Sequence, residues 1–197
     1  MKIPSNLFEN KQLKLFTLLI KSYIDKLNLL GKFEESKVNL QGSIGGNEED
    51  EAINHFVGRF PNGAVRSQYV VINPDGDLNH IASQLATVFS DKTLKILYLP
   101  CGSGAGLVGL LTTFFTLRQH KYYPSLPLNI EIIGADYSSD ALSIFTEMMN
   151  SISKDFLKVG INISYSTKQW DATSNTETMK LMHHLFATNA DEYFVFF

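Results

Sequence analysis

A short apolar run that breaks into glycines and then resumes as a helix constrains this chain most. Leu94 to Leu99 (LKILYL) is followed by Pro100, Cys101, Gly102, Ser103, Gly104, Ala105 and Gly106, and Leu107 to Leu117 is apolar again. The pattern predicts a strand, a glycine turn and a helix. Glycines let the backbone bend sharply and approach a ligand closely. The helix that follows aims its free N–H groups and the positive end of its dipole at the same place. Whatever sits over that turn decides the function.

The same alternation continues downstream. Leu128 to Ala135 (LNIEIIGA) reads as a second strand ending at Asp136, with Ser138 or Ser139 capping a helix over 140–153. Ile161 to Ser166 alternates like a third strand, followed by Trp170, Asp171 and Ala172. Thr176 to Thr188 reads as a helix and Glu192 to Phe197 as a fourth strand. Strand and helix in turn predict an α/β fold, a mostly parallel sheet with helices on both faces. Such sheets bind ligands outside the carboxyl ends of their strands, where the strand order reverses.

Upstream, residues 7–30 carry Leu13, Phe16, Ile20, Tyr23 and Leu27 near one helical face, with Gly31 as a stop. That helix either packs on its own domain or docks a partner or a second copy of the chain. Residues 34–50 read as a polar linker. Glu51 to Phe60 predicts a short helix stopped by Pro61 and Gly63. Val65 to Pro74 predicts a strand closed by the turn Pro74-Asp75-Gly76-Asp77. Leu78 to Phe89 predicts a helix capped by Asp77 or Asn79, with Ile81, Leu85 and Val88 on one face. The expected organisation is an N-terminal helix and linker over 1–50 and the α/β domain over 51–197.

Three strand ends then carry chemistry. The glycine turn alone is common to many nucleotide binders. Asp136, ending the second strand, lies beside that turn if the two strands are neighbours, and its two oxygens can accept from both hydroxyls of a ribose. Asp171, past the third strand, can accept from the exocyclic amine of a purine, with Trp170 or Tyr137 as an apolar face for the ring. Read blandly, Asp136 caps the next helix and Asp171 is a turn residue.

These motifs resemble the class I S-adenosylmethionine-dependent methyltransferases, over about residues 94–197. The family's first strand ends in acidic-x-Gly-x-Gly-x-Gly, and Tyr98-Leu99-Pro100-Cys101-Gly102-Ser103-Gly104 matches it at the last two glycines. The run IIGADYSSDAL matches the second motif and QWDATS resembles the third. The resemblance implies a Rossmann-like fold, S-adenosylmethionine as cofactor, and a binding set of Pro100, Gly102, Gly104, Asp136, Tyr137, Asp171 and Ala172. In that scheme Asp136 holds the ribose, and Asp171 with the Ala172 amide meets the adenine. Tyr98 stands where the family has a carboxylate, and Pro100 replaces the first glycine. Family members continue beyond a fourth strand, so a domain incomplete at its C-terminus is expected. No catalytic residue can be named, and the methyl acceptor is unknown. A non-catalytic module keeping the fold is the main alternative. A dinucleotide oxidoreductase is a weaker one: Gly104-Ala105-Gly106-Leu107-Val108-Gly109 fits GxGxxG, but Asp136 follows at more than the usual ~20 residues.

Composition excludes some classes. With a net charge of −3 the chain is not built to coat nucleic acid in bulk, although Arg59 and Arg66 leave room for a local basic patch. A single cysteine excludes an intrachain disulfide. The adjacent His183 and His184 point to different sides of a helix, and His55, His80 and His120 are isolated, so no metal site is expected. The apolar run Leu15 to Ile20 is too short to span a bilayer and has no cleavage site after it, which leads to the expectation of a cytoplasmic protein without a membrane partner.

Overall fold

The computed structural model describes residues 8–9, 12–38, 48–186 and 194–196. A two-residue hairpin, β1 (Phe8–Glu9) and β2 (Gln12–Leu13), precedes α1 (Thr17–Leu29), α2 (Phe33–Ser36), α3 (Glu49–Ile72) and α4 (Asn79–Val88). Then follow β3 (Thr93–Tyr98), α5 (Ala105–Gln119), β4 (Leu128–Asp136), α6 (Ser139–Phe156), β5 (Ile161–Gln169), α7 (Asn175–Phe186) and β6 (Phe194–Phe196). The main sheet has the order β5-β4-β3-β6 and every pairing in it is parallel. The fold is α/β and Rossmann-like. The chain steps outward from β3 to β5 and returns to place β6 on the other side of β3, so the order reverses at β3.

Alternation along the strands builds two unequal faces. Leu94 and Ile96 pair in register with Ile130 and Ile132 and bury into the main core beneath α5 and α6. Leu97, Ile133 and Ala135 point the other way, into a smaller cluster with Leu181 of α7. The start of that second face is polar, where Lys95 pairs with Glu131 at 3.5 Å. Helix α5 is buried on all sides from Leu107 to Arg118. Its threonines survive burial because the hydroxyls of Thr112, Thr113 and Thr116 donate one turn back, to the carbonyls of Val108, Gly109 and Thr112 at 2.7–2.8 Å. At its end the buried Arg118 guanidinium donates to the carbonyls of Phe89, Leu126 and Val159. Those three segments lead into β3, β4 and β5, so one side chain ties the strand starts together.

The largest departure from expectation is α3. It runs unbroken through Pro61 and Gly63, and the predicted strand Val65 to Pro74 is its second half. Proline inside a helix leaves the carbonyl four residues earlier without its N–H. Here that carbonyl is Val57 O, and the Tyr23 hydroxyl of α1 donates to it at 2.6 Å. Small residues then let α3 lie directly on α5. A Cβ on Gly109 would sit 2.5 Å from Ala64 O, and one on Gly63 would sit 2.8 Å from the Ala105 Cβ. This close packing overrides the β-propensity of the Val- and Tyr-bearing stretch. The helix ends at Asn73, whose φ of 47° is left-handed. The Asn73 side chain, not Asp77 or Asn79, accepts from the Leu78 N–H ahead of α4.

At the N-terminus the helix is shorter than predicted, with Leu13 in the hairpin and Ile20 exposed. The face of α1 that packs inward carries Leu19, Tyr23 and Leu27, Tyr23 stacks on Phe60 of α3, and Lys26 pairs with Glu147 of α6. Most of the predicted linker, 39–47, together with 187–193 and Phe197, lies outside the described residues. Among the described residues no helix is long and apolar enough to cross a membrane.

Candidate functional site

A cleft of about 480 Å³ opens at the carboxyl ends of β3 and β4, where the strand order reverses. Its floor is the turn after β3, with Pro100, Cys101, Gly102 and Ser103. One wall is the end of β4, with Asp136, Tyr137 and Ser138. The other is α3, with Ala52 and His55. A second hollow of about 450 Å³ lies among Val71, Ala82, Phe114 and Leu117, toward the strand starts and away from these groups.

Asp136 joins the floor to the sheet wall. Its carboxylate accepts from the Gly102 N–H at 2.7 Å with one oxygen and from the Ser138 N–H at 3.1 Å with the other. Its backbone carbonyl accepts from the Trp170 N–H at 2.9 Å. Ser138 caps α6, accepting from the Ala141 N–H at 3.2 Å. The Cys101 N–H donates to Ala135 O at 2.9 Å and closes the turn against β4. Each Asp136 oxygen takes one backbone donor and keeps a second lone pair for another.

The glycines divide by task. A Cβ on Gly102 would meet nothing within 4 Å, so this residue (φ 49°) faces the open cleft. Gly104 is turned inward, and a Cβ there would collide with the Phe145 ring. Gly106 lies against the Tyr98 hydroxyl, at 2.7 Å from an added Cβ, and Gly109 against the backbone of Ala64. The GxGxxG match at Gly104–Gly109 is therefore a helix-packing pattern, and it does not present its glycines to a ligand.

Tyr98 occupies the start of α5. Its hydroxyl accepts from the amides of Gly106 and Leu107, and burial raises its pKa, so it stays a neutral phenol. Burial and the Asp136 charge likewise push the Cys101 thiol far above its ordinary value. That fits a packing residue rather than a nucleophile. His55 is not legible as a site residue from sequence: it reads as an isolated histidine within the predicted helix Glu51 to Phe60, and no local pattern places that helix against the end of β4. Burial, and then the Arg59 charge, hold its pKa below the ordinary value, with Asp136 partly opposing them.

Of the residues predicted to bind, Pro100, Gly102, Asp136 and Tyr137 line the cleft and Gly104 supports its floor from behind. Asp171 and Ala172 are not among the lining residues. The exposed Asp171 carboxylate accepts from the Thr173 N–H at 2.8 Å and the Thr173 hydroxyl at 2.7 Å, and these bonds lower its pKa. Trp170 donates from its indole to the Thr178 hydroxyl at 3.0 Å and packs beside the α7 cluster. Among the described residues no group of three or more histidine, cysteine or acidic side chains is placed to hold a metal ion. Neither protein-family models nor curated proteins give a match to this chain.

Proposed function

We propose that the protein binds S-adenosylmethionine in this cleft and transfers its methyl group to an acceptor. One observation carries the reading: a carboxylate at the end of the second strand of a parallel sheet, beside the glycine turn, fixed by two backbone amides and still open to two further donors. Vicinal ribose hydroxyls are such a donor pair. The cleft volume lies within the ordinary range for small-ligand sites, roughly 300–1,000 Å³, and the bare Cα of Gly102 leaves its floor clear.

When bound, the cofactor supplies a methyl group on a positively charged sulfur, already activated for in-line displacement. What the chain adds is alignment and exclusion of water. Asp136 fixes the sugar, the turn at Gly102 lets the ligand lie close to the backbone, and α3 walls the opposite side. The exposed ring of Tyr137 offers a face for the base, with Asp171 and Ala172 the neighbouring candidates at the end of β5.

A second reading, a cofactor-binding module without catalysis, draws support from Tyr98. Its phenol occupies the first amides of α5, filling with a neutral group the helix end that would otherwise hold an anion. Isothermal titration separates the outcomes. Saturable heat with S-adenosylmethionine and none with NADH is expected; no heat even at high cofactor concentration overturns both readings. Tight cofactor binding with no methyl lost in the presence of any acceptor class favours the second.

A further inference from the structure

The cleft explains one face of α3 only up to His55. Beyond it, Arg59, Asn62, Arg66 and Tyr69 follow at alternating intervals of three and four residues, which places all five on one side of the helix. Arg59, Asn62, Arg66 and Tyr69 are exposed. Among the described residues neither arginine takes part in an ion pair or a side-chain hydrogen bond. Arg59 is close enough to His55 to depress its protonation, so the positive stripe begins at the mouth of the cleft. Acids border it at both ends, Asp136 in the cleft and Asp75 beside the Tyr69 hydroxyl.

We infer that this face of α3 holds the phosphate backbone of a single-stranded nucleic acid whose reacting base enters the neighbouring cleft. The inference rests on the methyl-transfer reading for its chemistry but not for its binding. Seven residues separate the two arginines, about 10.5 Å of helix rise, more than a single phosphate or carboxylate spans. Arginine forks match phosphate oxygens in pairs. Tyr69, held at its hydroxyl by Asp75 and exposed on the same side of α3, presents an aromatic face at the far end of the stripe, which a base stacks on and an acidic peptide would leave unused. With a net charge of −3 the rest of the surface repels such a strand, so binding is confined to this stripe.

The test uses the full chain and a fluorescein-labelled twelve-nucleotide RNA of mixed sequence, read by anisotropy. Two phosphate contacts predict a log–log salt slope of about −1.4, hence binding about sevenfold weaker at 200 mM than at 50 mM salt. R59A/R66A is expected to bind at least tenfold more weakly with a flattened slope, at unchanged melting temperature, while R59K/R66K keeps most of the slope. Absence of wild-type binding at 50 mM salt overturns the inference. So does equal binding by R59A/R66A, or competition by polyglutamate as effective as by unlabelled RNA. Titration of S-adenosylhomocysteine into the same proteins separates the two claims: RNA binding without cofactor binding sinks methyl transfer alone, and the reverse sinks the strand alone.

Discussion

The two walls of the cleft are held by different physics. The sheet wall is fixed by hydrogen bonds: Asp136 grips the Gly102 and Ser138 amides, and Cys101 and Trp170 tie the neighbouring segments to the end of β4. The helical wall is fixed by contact, where Gly63 and Ala64 of α3 lie on Ala105 and Gly109 of α5 with no room for another methyl group. A hydrogen-bonded wall can trade a backbone donor for a ligand donor. A contact wall can only stay or separate. On the proposed function, ligand recognition falls to the first wall, and shape with water exclusion to the second.

Variants that attack one wall at a time test this division. The largest effect is expected from Gly109→Ala, whose new Cβ would lie 2.5 Å from Ala64 O; because backbone cannot yield as a side chain does, the cost is about 3 kcal/mol, read by urea unfolding. Next is Tyr23→Phe. It leaves Val57 O, already deprived of an N–H by Pro61, without its donor, and should cost about 1–2 kcal/mol. The phenol that now fills this role has its pKa pushed up to about 12 by burial, so no titration is expected there below strongly alkaline pH. Gly102→Ala should cost only about 1 kcal/mol, the strain of a left-handed residue, since nothing lies within 4 Å of the added carbon. Equal costs at 102 and 109 would erase the distinction between floor and packing glycines.

The smallest effect concerns His55. Its folded pKa is below the ordinary value of 6.5, so as pH falls through that value the unfolded chain takes up a proton before the folded one does. Its contribution is complete above the ordinary value and declines toward lower pH. H55Q should flatten this slope in melts between neutral and mildly acidic pH. An unchanged slope would remove His55 from the helical wall's electrostatics.

The two walls also differ in how far they could be read from sequence. The strands, the Ser138 cap and the placement of Asp136 beside the glycine turn follow from local patterns, a period of two ending in an acid and a cap. The continuity of α3 does not. Pro61 and the valines of Val65–Ile72 are local arguments against a helix, and they lose to Tyr23, distant in sequence, and to the small residues of α5. The first half of α3, which carries His55, is legible as a helix, but its packing beside the glycine turn is not, so His55 reads as isolated. Asp171 and Asp136 look alike in sequence, each an acid at or just past the end of a strand. They differ in which donors are within reach: Asp136 meets the amides of another loop, Asp171 those of its own turn.

The most direct measurement is a cycle between protein and ligand at the ribose. S-adenosylhomocysteine and its 2′,3′-dideoxy analogue are titrated into wild type, D136A and D171A. If Asp136 grips the sugar hydroxyls, wild type and D171A should prefer the hydroxyl-bearing ligand by about 2 kcal/mol, ~30-fold, the scale of hydrogen bonds to a charged group, and D136A should show no preference. The same preference persisting in D136A, or disappearing in D171A instead, would contradict the account.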